Sequence, residues 1–303
     1  MNDAVLILGA GGFIGHHLAR TIADGGREVI AATRLPVAFE HPGVRNVTAP
    51  WDDPSQFAHW LPHCAAVVHA ASSSTPGSSA AQPQLDGNLR TTLALIEALQ
   101  SVPRRLLFLS SGGTLYGDRT EPAREDDPLR PRSYHAAGKI AAEYFIHAWA
   151  DQYDGDAVIL RPSNVYGPGQ TSKRGFGIVA TAFEHALSNT PLTILGDGRT
   201  VRDYLYVDDL ADAVRKVLDT RLLPGAPACN LSSGSALELN ALLDRIDRIT
   251  GRPLQRVFQP ARPIDIRSIA LDNSRAKALF DWEPAVDLED GLERTWEWHQ
   301  QQA

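Results

Sequence analysis

The sequence has little of several features that mark particular classes of protein. It holds only two cysteines in 303 residues, Cys64 and Cys229, which argues against a disulfide framework and leaves no metal-ligand spacing. Both lie in apolar stretches and predict reduced core thiols, as in a cytoplasmic protein. The net charge of −7 disfavours nonspecific binding to nucleic acid or anionic membranes. The N-terminus lacks the regions of a signal peptide, and no apolar run approaches the roughly 20 residues that span a bilayer.

Short apolar runs that alternate with amphipathic segments are what the sequence does have. They predict strands over 4–9, 28–33, 44–48, 65–70, 105–111 and 156–161, with helices between them. This alternation is typical of an α/β protein with a doubly wound parallel sheet, whose ligands bind at the carboxyl ends of the strands. The serine-rich segment 72–79 predicts a mobile loop over that cleft.

The pattern loosens after about residue 165, where glycine and proline become frequent and helices are predicted at 207–219, 237–250, 273–280 and 288–300. We therefore expect a dinucleotide-binding domain over 1–165 and a smaller, mostly helical C-terminal substrate lobe over 166–303. Segments near 200–230 are expected to return to the first domain.

The most informative motif is Gly9-Ala10-Gly11-Gly12-Phe13-Ile14-Gly15, which separates the apolar run 4–8 from an amphipathic helix. A buried strand that ends in a glycine turn and opens a helix can hold a pyrophosphate on backbone N–H groups. The commoner pattern has glycine or alanine where Ile14 stands. The cofactor-binding residues predicted here are Gly9, Gly12, Phe13, Ile14 and Gly15.

The end of the second predicted strand, Val29-Ile30-Ala31-Ala32-Thr33-Arg34, bears on the choice of cofactor. Folds that select NAD place an acidic residue there to bind the ribose 2′-hydroxyl. No acidic residue occurs, and Arg34 can meet a 2′-phosphate instead. The sequence favours NADP(H) over NAD(H), with a solvent-facing Arg34 as the alternative.

Several further motifs occur in an order that resembles the extended short-chain dehydrogenase/reductase family, specifically its nucleotide-sugar epimerases, dehydratases and reductases. The resemblance covers nearly the whole chain and implies a Rossmann-type fold. Besides the glycine turn and Asn88, it rests on Val68-His69-Ala70-Ala71-Ser72, Ser110-Ser111-Gly112-Gly113-Thr114-Leu115-Tyr116-Gly117, Arg161-Pro162-Ser163-Asn164-Val165-Tyr166-Gly167-Pro168, Val201-Arg202-Asp203-Tyr204 and Arg262-Pro263-Ile264-Asp265.

The resemblance implies hydride transfer between a sugar carbon and a nicotinamide. It also implies a tyrosine that exchanges the hydroxyl proton, four residues before a lysine that holds the nicotinamide ribose. Lys139 fits the lysine, but His135 stands at the tyrosine position and Tyr134 is five residues from Lys139. Three readings stay open: His135 is the acid/base, Tyr134 acts from a shifted position, or hydride chemistry is lost.

A second departure is Gly112, which falls where the family usually has a catalytic serine or threonine, with Ser111 and Thr114 as neighbouring substitutes. The resemblance also implies further contacts. For the cofactor these are Ala70, Ala71, Pro162 and Asp52, although Asp52 can instead cap the helix near Pro54. For the sugar diphosphate they are Asn164, Arg202 and Arg262, although Arg202 can instead pair with Asp203.

We therefore predict an NAD(P)-dependent enzyme that transfers hydride at C4 of a nucleoside-diphosphate sugar, as an epimerase or a 4-keto reductase. The alternative is a catalytically impaired protein that binds a nucleotide sugar or dinucleotide, since both the tyrosine and the serine positions have changed. The resemblance also implies a homodimer. Its interface would use Ile140, Tyr144 and Phe145, or Leu95 and Leu99.

Overall fold

A computed structural model of the chain describes residues 3–74, 77, 80–172 and 177–302. Of the predicted loop over 72–79, residues 75, 76, 78 and 79 lie outside the described residues. The strands that it contains are, in chain order, β1 (Ala4–Leu8), β2 (Val29–Thr33), β3 (Val44–Thr48), β4 (Cys64–His69), β5 (Arg105–Leu109), β6 (Ala157–Pro162), β7 (Asn164–Tyr166), β8 (Leu192–Leu195), β9 (Val201–Tyr206), β10 (Ala228–Leu231), β11 (Ala236–Glu238) and β12 (Arg256–Gln259).

The helices carry most of the remaining described residues. A 3₁₀ turn covers Leu61–His63, and a π-helical turn over Leu85–Leu89 joins the third helix to the fourth. The α-helices are α1 (Phe13–Asp24), α2 (Pro54–Ala58), α3 (Gln82–Gln84), α4 (Arg90–Ser101), α5 (Gly112–Leu115), α6 (Tyr134–Tyr153), α7 (Ile178–Ser188), α8 (Val207–Asp219), α9 (Leu239–Thr250), α10 (Ser274–Phe280) and α11 (Leu288–Gln302).

Seven parallel strands form the main sheet, in the order β10-β6-β5-β4-β1-β2-β3. The order reverses beside β1, as in a Rossmann-type doubly wound sheet, and the predicted fold class is confirmed. The six strands predicted in the first half are all present, within two residues at each end. Except in the edge strand β3, their central residues are buried, since one apolar cluster packs α1 and α8 on one face and another packs α2, α4 and α6 on the opposite face.

The C-terminal part contains short strands that the sequence did not predict. Strands β11, β9 and β7 form a three-stranded sheet, and β12 pairs with β8. With α7, α9 and α11 they enclose a separate apolar cluster around Phe183, Leu242 and Trp296. Strand β10 returns to the edge of the main sheet. The domain boundaries at 165 and 166 stay a prediction.

Two further features of the described residues concern the kind of protein. Among them we find no helix with the length and apolar character needed to cross a membrane. The same part of the chain holds no cluster of three or more His, Cys, Asp or Glu side chains that could bind a metal ion. Cys64 and Cys229 are buried and unpaired.

Candidate active site

The glycine turn between β1 and α1 is built for close backbone approach. Gly9 has a φ of +82°, and a Cβ there would lie 2.6 Å from Cα of Ala71. A Cβ on Gly15 would lie 2.2 Å from the carbonyl oxygen of Gly9, so only glycine lets α1 pack against the end of β1. Gly12 caps α1 without a side-chain hydrogen bond, leaving the N–H groups of the first turn open to an anion.

This geometry fits the pyrophosphate of a dinucleotide. Phe13 and Ile14 are the first two residues of α1, at the positive end of the helix dipole. Ala70 and Ala71 follow β4 beside the turn, and Pro162 ends β6 at the same edge of the sheet. The predicted cofactor contacts at these positions therefore lie at the carboxyl ends of three parallel strands of the main sheet.

The end of β2 has no carboxylate to receive a ribose. Thr33 is buried, and its Oγ1 accepts a hydrogen bond of 2.8 Å from Nδ2 of Asn46. Arg34 is exposed, and within the described part of the chain its guanidinium has no partner. Asp52 is exposed too, but it is Asp53 whose carboxylate accepts from the N–H of Ser55 and caps α2. The capping alternative for Asp52 is therefore wrong by one residue.

His135 and Lys139 lie on one buried face of the first turns of α6. Helix α6 begins at Tyr134, after Ser133 accepts a capping hydrogen bond from the N–H of Ala136. Because His135 and Lys139 are four residues apart, they point to the same side, and only 6% and 5% of their surfaces are exposed. The Lys139 ammonium donates a 2.8 Å hydrogen bond to the carbonyl oxygen of Leu109, the last residue of β5.

Burial lowers the pKa of both groups. Burial, together with the nearby charge of Lys139, lowers the pKa of His135 to about 4. Burial lowers the pKa of Lys139 to about 8, against the opposing effect of Glu143. At neutral pH the site therefore holds a neutral imidazole beside a largely protonated lysine, which is the state that can accept a proton from an alcohol.

Glu143 anchors the next turn of α6 to the sheet. Its carboxylate forms a buried ion pair of 2.6 Å with Arg161 on β6. Arg161 also donates to the hydroxyl of Tyr116, which in turn donates to Oδ1 of Asn230 on β10. These contacts connect α6, β6 and β10, so they hold the helix that carries His135 and Lys139 in a fixed place.

Tyr134, the other residue considered for proton exchange, does not share this face. Its side chain is 51% exposed at the start of α6, whereas His135 and Lys139 are buried. Helix α6 begins at Tyr134, and residues five apart on a helix point to different sides, so Tyr134 does not share the face of Lys139. Of the two candidates, the structure brings only His135 together with Lys139.

The position of the family serine is closed by packing. A Cβ on Gly112 would lie 2.6 Å from the carbonyl oxygen of Arg161 and 2.5 Å from Cδ1 of Leu271, so a serine does not fit there without a shift of α5. Ser111 caps α5 and is partly buried, and Thr114 donates to the carbonyl oxygen or Oγ of Ser111 at 3.1 and 3.0 Å. The Ser111 hydroxyl keeps its own proton for another acceptor, which makes Ser111 the better substitute.

The three residues predicted to meet a sugar diphosphate lie on the lobe side of the sheet. Asn164 on β7 donates to the carbonyl oxygen of Asp203. Arg202 donates only to backbone carbonyls, of Val201, Ile266 and Arg267, and no carboxylate of the described residues lies within ion-pair distance.

The charge of Arg202 is therefore free to meet an anion. The predicted alternative, a pair with Asp203, is absent because that carboxylate accepts from Ser163, Ser233 and Ser235. Arg262 differs, since Asp265 already neutralises it at 2.7 Å.

The glycine turn opens the doubly wound sheet to a dinucleotide, and Lys139 of α6 bonds to the carboxyl end of β5 beside it. Together with the unpaired charge of Arg202, these features are those of an NAD(P)-binding Rossmann enzyme. A model of the NAD dependent epimerase/dehydratase family matches residues 5–226. The chain belongs to this family.

Curated relatives match most of the chain. A UDP-glucose 4-epimerase from Mycolicibacterium smegmatis is 33% identical over 312 residues, which cover 96% of each chain. A dTDP-4-dehydro-6-deoxyglucose reductase from Escherichia coli is 30% identical over 190 residues, which cover 63% of this chain and 60% of that one. The predicted class, an NAD(P)-dependent nucleotide-sugar epimerase or reductase, is confirmed.

Solved structures with the same fold carry the expected ligands. A UDP-glucose 4-epimerase with UDP-glucose from Thermotoga maritima superposes with a TM-score of 0.91 at 28% identity, covering 99% of both chains. The Thermus thermophilus UDP-glucose 4-epimerase in complex with NAD gives 0.89 at 30% identity, covering 98% of this chain and 99% of that one.

Sequence reasoning missed part of the site. Ser74 contacts Nδ1 of His135, and Gln84 and Asn88 contact Ser74 in turn. Of these three residues, only Asn88 belonged to a motif that the sequence analysis used, and no role was assigned to it. A serine-rich loop and a helix interrupted by a π turn carry no pattern that predicts a shared contact. Only the fold brings them together.

Proposed function

We propose that this enzyme oxidises and reduces C4 of a nucleoside-diphosphate sugar, with His135 exchanging the hydroxyl proton. The observation that carries the proposal is the buried pair of His135 and Lys139 at the carboxyl end of β5. Relatives along the full chain that are named UDP-glucose 4-epimerase support the substrate class and the position of the reaction.

Each residue has a separate task in this proposal. A bound nicotinamide accepts or supplies the hydride. The neutral ring of His135 takes the proton from the sugar hydroxyl, and the Ser111 hydroxyl donates to the same oxygen. Lys139 holds the nicotinamide ribose, while Arg202 and Asn164 bind the diphosphate, with Arg262 at its margin. Arginine suits that task because its planar fork binds phosphate oxygens bidentately.

We further propose that the cofactor is NADP(H) rather than NAD(H). The end of β2 lacks the carboxylate that NAD-selective folds use, and Arg34 is exposed without a partner in the described structure. We expect its guanidinium to meet a 2′-phosphate and Asp52, in the segment after β3, to contact the adenosine part of the cofactor. The related structure from Thermus thermophilus contains NAD, so the test below includes both cofactors.

The decisive experiment follows the near-ultraviolet absorbance of reduced nicotinamide. Purified protein is mixed with NAD, NADP, NADH or NADPH and with UDP-glucose, UDP-galactose, UDP-glucuronate or a dTDP-4-keto-6-deoxy sugar, and the sugars are then analysed for epimerisation. We expect one pair to change the absorbance or to yield the C4 epimer. The His135→Phe variant should bind the same cofactor and sugar with little turnover, because it keeps the ring volume and loses the base.

The opposite result has a clear form. If calorimetry shows tight binding of cofactor and sugar but no pair gives an epimer or a redox change, the chain is a binding protein and not an enzyme. Turnover by His135→Phe equal to that of the natural chain would instead move the proton exchange to another residue.

We also infer a homodimer that forms through the outer face of α6. Tyr144 and Phe145 are 66% and 47% exposed there, and Tyr134 at the start of the helix is exposed too. These side chains form an apolar surface that a second copy would cover. The other predicted candidates, Leu95 and Leu99, are buried in the core, and Ile140 packs against the cluster around Tyr116. Sedimentation of a Tyr144→Glu, Phe145→Glu double variant should show monomers if this face is the interface.

The unpaired core cysteines support a cytoplasmic location.

A further inference from the structure

A closed network of neutral polar side chains surrounds Nδ1 of His135. The ring nitrogen lies 3.0 Å from Oγ of Ser74. The same Oγ lies 2.7 Å from Oε1 of Gln84 and 2.8 Å from Nδ2 of Asn88. Nδ2 of Asn88 also lies 2.9 Å from Oε1 of Gln84. These groups come from three separate parts of the chain: the loop after β4, the segment from α3 to the π turn, and α6.

One backbone group sets the direction of every hydrogen bond in this network. The N–H of Ser73 lies 2.8 Å from Oδ1 of Asn88, and a backbone N–H can only donate. Asn88 therefore turns its oxygen to Ser73 and its amino group to Ser74 and Gln84. Gln84 must then present its carbonyl oxygen, since two amino groups cannot bond to each other.

The proton of Ser74 follows from these directions. Asn88 donates to Oγ of Ser74, and Oε1 of Gln84 has no proton to give, so the single hydroxyl proton of Ser74 goes to Gln84. Two bare acceptors at that distance would repel. Oγ of Ser74 has only a lone pair left for the ring. Nδ1 of His135 must therefore carry a proton and donate it to Ser74.

A neutral imidazole carries one proton and one lone pair, so a proton held on Nδ1 leaves the lone pair on Nε2. We propose that Ser74, held by Gln84 and Asn88, is a positioning residue that keeps His135 in the Nδ1–H tautomer and so makes Nε2 the atom that receives the substrate proton. No described residue bonds to Nε2, so this nitrogen has no partner among them that would compete with a substrate hydroxyl. This inference rests on the proposed function of His135.

The proposed step balances with this tautomer. The C4 hydroxyl proton moves to Nε2, the C4–H bond breaks with its electron pair going to an oxidised nicotinamide, and C4=O forms. The ring becomes an imidazolium that still donates from Nδ1 to Ser74, so the network keeps its directions before and after the transfer. The reverse step returns the proton from Nε2 to the carbonyl oxygen.

The surroundings of the ring hold little charge that could override the network. Lys139 is the charged group that acts on His135 from α6, and the facing groups from the loop and from the α3 segment are neutral. Gly138 contributes by its lack of a side chain, because a Cβ there would lie 3.2 Å from Cβ and Oε1 of Gln84. Glycine at this point lets Gln84 lie against α6.

The test reads the tautomer directly and the reaction separately. Protein labelled with ¹⁵N-histidine gives ring-nitrogen shifts that distinguish Nδ1–H from Nε2–H, and comparison with His135→Phe identifies the signals of His135 among the ten histidines. We expect Nδ1–H in the natural chain, loss of that single form in Ser74→Ala and its return in Ser74→Thr. With a sugar nucleotide that the natural chain converts, the Ser74→Ala variant should have a kcat about ten- to hundredfold lower and a KM close to that of the natural chain.

A matched control removes a hydroxyl from a different histidine. Thr190→Ala takes away the oxygen 2.8 Å from Nδ1 of the exposed His185, and kcat should not change. An Nε2–H signal for His135 would overturn the inference and leave the proposed function standing. Nδ1–H without turnover of any sugar would instead overturn the proposed function, and with it the catalytic purpose of the tautomer. A kcat of Ser74→Ala equal to that of the natural chain would remove the role of Ser74.

Discussion

The turn between β1 and α1 and the first turns of α6 serve the same active site but are built in different ways. The first is made of backbone: its glycines lie within seven consecutive residues, and a Cβ on Gly9 or Gly15 would overlap backbone atoms. The second is made of side chains from distant segments, with Ser74, Gln84 and Asn88 around His135 and the Glu143–Arg161 pair behind it.

This difference explains which region tolerates change. A phosphate can be held by N–H groups that every residue supplies, so selection acts on the spacing of glycines. Proton exchange needs one particular side chain with a tuned environment, and a new side chain can take over when its neighbours support it. On the proposed assignment, His135 in place of the family tyrosine is such a case, because its partner Ser74 comes from another part of the chain.

The largest effect is expected where the side-chain region meets the cofactor. Lys139→Met should lower turnover by about 10²–10⁴-fold, because the variant loses the charge that holds the ribose at the reacting end. Steady-state kinetics and calorimetry with the cofactor measure the two consequences. Lys277→Met, which removes a surface lysine paired with Asp281 and Glu283, is the control. Full activity of Lys139→Met would contradict the site.

In the glycine turn, steric overlap alone should lower stability and weaken cofactor binding. Gly15→Ala places a Cβ 2.2 Å from the carbonyl oxygen of Gly9, so we expect a loss of about 3 kcal/mol in the free energy of unfolding and weaker cofactor binding. Denaturant titration and calorimetry test this. Gly25→Ala at the other end of α1, where φ is −74°, should cost far less. Equal effects of the two variants would show that the close approach is not needed.

Placing the family serine at position 112 tests whether the site still has room for it. Gly112→Ser meets the backbone oxygen of Arg161 at 2.6 Å, and should lower stability by about 1–3 kcal/mol without raising activity. Gly113→Ser is the matched control, because the nearest atom to its Cβ is 3.5 Å away. A stable, faster Gly112→Ser enzyme would show that α5 shifts easily.

The pH profile separates a histidine base from a tyrosine base. The pKa of His135 is lowered to about 4 and that of Lys139 to about 8. Between these values the histidine is unprotonated and the lysine is charged, so oxidation should be nearly level from about pH 5 to 7. Tyrosine titrates near 10, so His135→Tyr should be at least about tenfold slower at pH 5.5 than at pH 7. Identical profiles would place the rate-limiting proton transfer on another group.

The smallest effect is expected at the rim of the cofactor site. Arg34→Ser should weaken NADPH binding by about tenfold, since an exposed charge is partly screened by solvent, and leave NADH binding unchanged. Fluorescence titration with both cofactors supplies the measurement, with NADH as the internal control. No loss with NADPH would mean that Arg34 only faces solvent.

Residues with local signals were predicted correctly. The six strands of the first half follow from apolar runs between turn residues, and the glycine turn from its spacing before an amphipathic helix. The sheet of β11, β9 and β7 was not predicted, because strands of three residues such as β7 and β11 have no pattern of their own. The same holds for α5, whose four residues begin with two glycines.

The sequence by itself determined the class of fold, the place of the dinucleotide and the positions of His135 and Lys139 one helical turn apart. These depend on periodicity and on backbone geometry within short windows. The tertiary structure decided that His135 is buried and Tyr134 exposed, that Gly112 has no room for a serine, and that Ser74 lies within hydrogen-bonding distance of the imidazole. Those outcomes depend on atoms that are distant in the chain, and only packing brings them within hydrogen-bonding distance.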